Sequence, residues 1–167
     1  MKKLMILLAA ACAMGIAKGA AVDWKFGKDT AYNGYTVYAF DSADSSTVLA
    51  ALGAFDADAL TTINSLVLSS AEVKKGNANS QNVDVGSATS LMLLAINGDF
   101  EVGKAFQYDT LDISASTYAP PNPSPGAVTL SSFSNSGTIV AAAVPEPTSG
   151  LLMLVGLGAL VLRRRKA

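Results

Sequence analysis

The stretch LMLLAINGDFEVGKAFQY at residues 91–108 decides the fold class of this chain. Its first six residues, 91–96, are all apolar, which is a suitable length for one strand. Asn97 and Gly98 follow, and both residue types tolerate the positive φ angles of a type I′ turn. An alternating pattern returns over residues 100–108, so the stretch predicts a β-hairpin with a type I′ turn.

Further short segments on both sides of this hairpin have strand or helix character. Residues 32–40, YNGYTVYAF, alternate aromatic and β-branched side chains and predict a strand. Shorter strands are predicted at residues 66–68, 83–85, 127–130 and 138–143. One short helix is predicted over residues 47–52, with Asp44 and Ser45 as cap candidates and Gly53 as its end. This pattern predicts a mainly β fold, an antiparallel β-sandwich with one short helix.

The body of the chain, residues 22–143, has a composition that excludes several kinds of site. It contains neither cysteine nor histidine, which excludes disulfides, thiolate metal sites, His-ligated metals and Ser-His-Asp catalysis there. Five lysines stand against twelve acidic residues, a formal net charge of −7. Such a balance disfavours nucleic-acid binding, which depends on clustered lysine and arginine. The length of the body suits one exported domain.

Carboxylates are the only plentiful reactive groups of the body, at Asp41, Asp44, Asp56, Asp58, Asp84, Asp99, Glu101, Asp109 and Asp112. A glycosidase needs two of them about 5–10 Å apart across a cleft, and a body of this size leaves little room for one. We therefore predict that the chain is not an enzyme, has no catalytic residue and needs no cofactor. Three close acidic pairs offer oxygen ligands for Ca²⁺, but none forms an EF-hand loop. No metal site is predicted, and calcium binding stays the alternative.

Six aromatic residues offer a second candidate surface, at Tyr35, Tyr38, Phe40, Phe100, Phe106 and Tyr108. They could form a sugar-binding platform, although filling the space between sheets is the commoner use of aromatic rings. Two functions of the body therefore stay open. The first is a non-catalytic exported surface protein, and the second is a small secreted carbohydrate-binding or carbohydrate-active domain.

Residues 1–21 have the layout of a secretory signal peptide. Lys2 and Lys3 precede an apolar segment at residues 4–16, which is expected to be the signal helix. Signal peptidase needs small residues at positions −3 and −1, and cleavage after Gly19 or after Ala21 satisfies this requirement equally well. Lipid modification at Cys12 is the alternative, but cleavage there would leave a very short apolar segment, so the ordinary signal is favoured.

The C-terminal segment 144–167, VPEPTSGLLMLVGLGALVLRRRKA, ends in a second apolar span. Residues 148–162 carry no charge, and as a helix they would extend about 22 Å, against about 30 Å for the hydrocarbon core. The span is therefore marginal as a transmembrane helix. The cluster Arg163, Arg164, Arg165 and Lys166 resists translocation, which places the chain terminus in the cytoplasm and the body outside. The alternative to temporary insertion of this span in the membrane is a permanent single-span anchor.

The arrangement of Val144, Pro145, Glu146 and Pro147, a short glycine- and leucine-rich span and a terminal arginine cluster resembles the PEP-CTERM sorting signal of exported bacterial proteins, also labelled an ice-binding-protein C-terminal domain. The resemblance implies recognition by an exosortase, a membrane-embedded enzyme similar to cysteine transpeptidases, in bacteria that make exopolysaccharide. The two prolines favour the extended backbone that such a cleft binds. Glu146 is either an electrostatic handle or a solvated linker residue.

These interpretations together predict the export route and the final location of the chain. It is exported, held for a time in the inner membrane by the C-terminal helix, and then placed at the cell surface or outside the cell. The expected partners are signal peptidase, an exosortase-type enzyme and the membrane, with exopolysaccharide as a candidate and no nucleic acid.

Overall fold

A computed structural model describes residues 20–120 and 122–143, and this part of the chain contains eight strands in two sheets. The strands are β1 (Ala20–Gly27), β2 (Tyr35–Asp41), β3 (Ser69–Glu72), β4 (Asn77–Gly86), β5 (Ser90–Asn97), β6 (Ala105–Asp112), β7 (Val128–Leu130) and β8 (Asn135–Thr138). The smaller sheet has the order β4-β1-β7 and the larger one β3-β2-β5-β6-β8. The predicted mainly β class is confirmed. The predicted signal peptide at residues 1–21 lies outside the described residues except for Ala20 and Ala21, which belong to β1, and the predicted helix at 148–162 lies entirely outside them.

Strand β5 occupies the middle of the larger sheet and is covered on both faces. It pairs antiparallel with β2 on one side and with β6 on the other. Leu91 and Leu93 pack toward the smaller sheet, whereas Met92, Leu94 and Ile96 pack toward the helices. Because neighbouring side chains of a strand point to opposite faces, a strand between two layers needs apolar residues at every position. This explains the uninterrupted apolar run.

The hairpin prediction is confirmed for the pairing of two strands, but the second strand is Ala105–Asp112 rather than residues 100–108, and the predicted turn is wrong. Strands β5 and β6 pair from Ser90 opposite Asp112 to Ile96 opposite Phe106. Their connection is not the two-residue type I′ turn but the longer loop 98–104. Phe100 folds back from this loop and is buried, with its ring 4.9 Å from that of Tyr38. Packing of this ring against the core overrides the local turn preference.

One core lies between the two sheets. Trp24 and Phe26 of β1 are fully buried there against Val37 of β2 and Leu93 of β5. The indole Nε1–H of Trp24 donates to Ser69 Oγ of β3 over 2.8 Å, so this side chain joins the two sheets. The sandwich is not wholly antiparallel as predicted, because β1 and β7 run parallel.

A second core lies on the opposite face of the larger sheet, beneath two α-helices. Helices α1 (Ser45–Gly53) and α2 (Ala57–Leu66) bury Val48, Leu52 and Ile63 against the apolar side chains of that face. The helix predicted at residues 47–52 is confirmed as α1, but the predicted count of one helix is wrong because α2 follows it. The strand predicted at residues 66–68 is wrong because Leu66 ends α2. Neither helix in the described ranges is long and apolar enough to cross a membrane.

Helix α2 escaped prediction because its sequence, ADALTTINSL, is rich in residues with modest helix propensity. Its start is defined by Asp56, whose side chain accepts a hydrogen bond from the Ala59 N–H over 2.8 Å. Burial of Ile63 against the sheet then stabilises the helix beyond its intrinsic propensity. Tertiary packing decides this element.

Candidate functional site

The described part of the chain ends in a segment that is clipped to the helical layer. Ile139 is buried in the core beneath the helices. The Val140 N–H donates to the Leu52 carbonyl over 2.9 Å, and the Phe55 N–H donates to the Val140 carbonyl over 2.7 Å. The Ala142 N–H donates to the Phe55 carbonyl over 3.1 Å. We call residues 139–142 with Leu52 and Phe55 the C-terminal clip.

The clip limits how far the Pro-Glu-Pro triplet can lie from the folded body. Pro145 follows Ala142 by three residues, and a fully extended chain spans at most about 3.6 Å per residue, so the separation is at most about 11 Å.

A cluster of polar groups surrounds Asp23. Asp23 is the buried charged residue within the described ranges, with 8% of its surface exposed. Its carboxylate Oδ1 accepts hydrogen bonds from the Asn82 backbone N–H and from the Tyr118 hydroxyl, each over 2.8 Å. The register of β1 and β4 shifts at this point, where Asn82 has a φ of +53°. Such an irregularity turns a backbone N–H out of the ladder, here toward the carboxylate. We call Asp23, Asn82 and Tyr118 the Asp23 network.

The single hydroxyl proton of Tyr118 decides which groups donate and which accept in the Asp23 network. Tyr118 Oη lies 2.8 Å from Asp23 Oδ1 and also 2.8 Å from Asn82 Oδ1, yet the hydroxyl has one proton. The carboxylate can only accept, so Tyr118 donates to Asp23. The 2.8 Å contact between Tyr118 Oη and Asn82 Oδ1 would be a second hydrogen bond only with the Asn82 amide turned by 180°, so that its NH₂ group donates to the hydroxyl.

The balance of burial and hydrogen bonding keeps Asp23 ionised. Burial by itself raises its pKa, but hydrogen bonds from the Asn82 N–H and the Tyr118 and Ser124 hydroxyls outweigh this effect, so the pKa of Asp23 is lowered. The pKa of Tyr118 is raised, first by burial and then by its bond to Asp23. A general acid or base at neutral pH needs a pKa near 7. Both shifts move away from that value, so the network is suited to holding structure.

We expect Asp23→Asn to lower the free energy of unfolding by about 1–3 kcal/mol at pH 7, because it removes the charged acceptor of a buried network. An acid with a lowered folded pKa stabilises the fold above its ordinary value of 3.8, and this contribution is lost as pH falls through the folded pKa. Urea unfolding of both proteins between pH 7 and pH 2 measures the difference, which should shrink at the acid end.

The matched control for this prediction is Asp84→Asn. Asp84 is exposed on the same sheet, and asparagine keeps the acceptor for the Gly86 N–H. Its stability should change by no more than about 0.5 kcal/mol. A stability difference between wild type and Asp23→Asn that is constant down to pH 2 would contradict the assignment of the effect to the carboxylate charge.

The structure disperses the predicted carboxylates and gives several of them local roles. Asp41 accepts from the Ala43 N–H and Asp56 caps α2. Asp109 accepts from the Ser134 N–H over 3.0 Å, and its pKa is lowered chiefly by the Ser134 hydroxyl. Within residues 20–120 and 122–143, no three acidic side chains assemble as a metal site would require.

Asp99 and Asp109, two of these carboxylates, lie in different parts of the larger sheet, Asp99 in the loop 98–104 and Asp109 within β6. The charge of Asp99 acts on Tyr38, a residue that packs on the helical side, and together with burial it raises the pKa of that phenol. Asp109 shares the face of Leu111, which packs toward the smaller sheet. The two carboxylates therefore do not flank a common substrate.

The predicted aromatic platform is divided between the two cores. Five of its members belong to the core beneath the helices, at Tyr38, Phe40, Phe100, Phe106 and Tyr108. Tyr35 instead packs on the other side, with its ring 5.3 Å from Tyr32, which also contacts Phe26 and Phe133. The six side chains form no shared platform, and packing between layers accounts for them.

Comparison with known families identifies the C-terminal segment. Residues 143–166 match the model of the PEP-CTERM protein-sorting motif. No curated protein and no solved structure matches the chain. The match contains all the predicted sorting residues, Val144, Pro145, Glu146, Pro147, Arg163, Arg164, Arg165 and Lys166, and these lie outside the described part of the structure. The predicted resemblance is confirmed, and the motif implies an exported chain that an exosortase processes.

Proposed function

We propose that the chain is a cell-surface or exopolysaccharide-associated protein whose non-catalytic body an exosortase releases from, or transfers out of, the membrane. The observation that carries this proposal is the sorting-motif match, which begins at Ala143, directly after the last body residue with a backbone hydrogen bond in the clip. The body and the sorting signal thus adjoin without a long linker. The predicted signal peptide at residues 1–21 supplies the matching entry route.

The three parts of the C-terminal segment have different roles in sorting. The apolar span 148–162 holds the chain in the membrane, and the basic cluster 163–166 resists translocation and fixes the topology. Pro145 and Pro147 keep the intervening backbone extended and accessible to the enzyme. Cleavage near Pro147 then separates the body from the apolar span. Because this span is shorter than the hydrocarbon core of the membrane, it is a poor permanent anchor.

The short tether keeps the body close to the membrane until cleavage. Thr148 follows Ala142 by six residues, so the start of the apolar span lies within about 22 Å of the clip. The connection between α1 and α2 is therefore the side of the body nearest to the processing enzyme. The smaller sheet and the Asp23 network belong to the layer farthest from the helices.

The proposal of a non-catalytic body rests on the roles that the acidic side chains already have. Asp23 is held by hydrogen bonds that lower its pKa, Asp41 and Asp56 cap helical turns, and Asp99 and Asp109 lie in different parts of the larger sheet. The aromatic residues considered for sugar binding pack between layers. These placements favour the non-catalytic reading over the carbohydrate-active alternative.

Mass spectrometry of the mature C-terminus tests the sorting proposal. In wild-type cells the surface protein should end near Pro147 and lack residues 148–167. In a strain without its exosortase, the full-length C-terminus should accumulate in the membrane fraction. A wild-type surface protein that retains its peptide through Arg163 would show that the segment is a short transmembrane anchor.

A further inference from the structure

The first residues of β1 are held on both edges of the strand. Ala20 is opposite Gly86 and Ala21 is opposite Asp84 in the ladder with β4. On the other edge, the Ala21 N–H donates to the Tyr118 carbonyl and the Tyr118 N–H donates to the Ala21 carbonyl, each over 2.8 Å. Ala21 is 3% exposed. These residues are therefore structural parts of the smaller sheet.

The two bonds that fit signal peptidase have different consequences for this strand. Cleavage after Ala21 would remove two paired residues and leave the backbone N–H and carbonyl of Tyr118 without their partners. It would also place an α-ammonium on Val22, a residue that is fully buried in the intact sheet, and burial of a charged group is unfavourable. Cleavage after Gly19 keeps β1 whole and places the ammonium at Ala20, a partly exposed strand end.

We infer that signal peptidase hydrolyses the Gly19–Ala20 bond, with Ala17 at position −3, so that the mature chain begins at the first residue of β1. Hydrolysis consumes one water and leaves a carboxylate on Gly19 and an ammonium on Ala20. The inference rests on the proposed export of the chain. It also gives the Asp23 network a role, because Tyr118 binds the mature N-terminal strand through both its backbone and its hydroxyl.

Mass spectrometry of the N-terminus of the exported full chain tests this assignment. The wild-type protein should begin at Ala20. The variant Ala17→Leu places a large residue at −3 of the assigned bond and leaves Gly19 and Ala21 of the later site intact, so the Ala20 start should disappear. The matched control Ala13→Leu adds the same bulk within the apolar segment and should keep the Ala20 start.

Several results would overturn the assignment. A wild-type chain that begins at Val22 shows that trimming into β1 is tolerated, and one that begins at Lys18 places the cut earlier, with Gly15 and Ala17 as the small pair. Unchanged cleavage of Ala17→Leu at Ala20 would also contradict it. A chain that still begins at Met1 would refute the export signal itself, whereas a start at Val22 or Lys18 refutes only the assigned bond.

Discussion

Replacing Pro145, Glu146 and Pro147 with alanine is expected to abolish removal of the C-terminal span and to leave the full-length chain in the membrane fraction. Proline fixes φ and restricts the preceding residue to extended geometry, whereas three alanines allow a helix to run upstream from the apolar span. A helical segment hides the backbone groups that a protease cleft binds in an extended substrate. Membrane fractionation followed by intact-mass measurement quantifies the uncut form.

The chain offers a matched control for this experiment in Pro123-Ser124-Pro125, which has the same spacing of prolines inside the body. Alanine at Pro123 and Pro125, with Ser124 retained for its contact with Asp23, should leave processing unchanged. A separate Glu146→Gln variant distinguishes the two roles considered for that side chain, since only an electrostatic handle would require the charge. Normal processing of the triple-alanine variant would refute the role of the triplet.

The sequence is most informative where the deciding residues are contiguous. The run 91–96 predicts a strand because every position is apolar, and the sorting motif is readable because its three parts follow one another within residues 143–166. No described contact is needed to recognise either. Local patterns of this kind can be recognised without knowing how the rest of the chain folds.

The Asp23 network could not be predicted from local sequence patterns. Its partners Asn82 and Tyr118 are 59 and 95 residues away in the sequence, and the irregularity in β4 that presents the Asn82 N–H has no local signature. One signal was present: Val22, Trp24 and Phe26 alternate around Asp23, a pattern typical of a strand with one apolar face. That pattern predicts β1, but it places the aspartate on the exposed face. Contacts with Asn82, Tyr118 and Ser124, which are distant in the sequence, cover it.

Trp24→Ala is expected to lower the free energy of unfolding by about 3–5 kcal/mol, the range for deletion of a buried aromatic side chain. A domain of this size is stable by only about 5–15 kcal/mol, so the loss is a large part of the total. Trp24 is fully buried between the sheets, and its indole N–H donates to Ser69. Its removal leaves a cavity and an unpaired hydroxyl at the same time.

Two variants separate these contributions to the Trp24 effect. Trp24→Phe keeps a large ring but no donor, so it should be less destabilising than alanine, while Lys25→Ala on the opposite face of β1 should change stability by no more than about 0.5 kcal/mol. Urea unfolding must be followed by far-ultraviolet circular dichroism, because Trp24 is the only tryptophan of the chain. Equal stability of Trp24→Ala and Lys25→Ala would mean that the smaller sheet does not depend on this contact. The core between the sheets would then have to be held by the other residues buried there, such as Phe26, Val37 and Leu93.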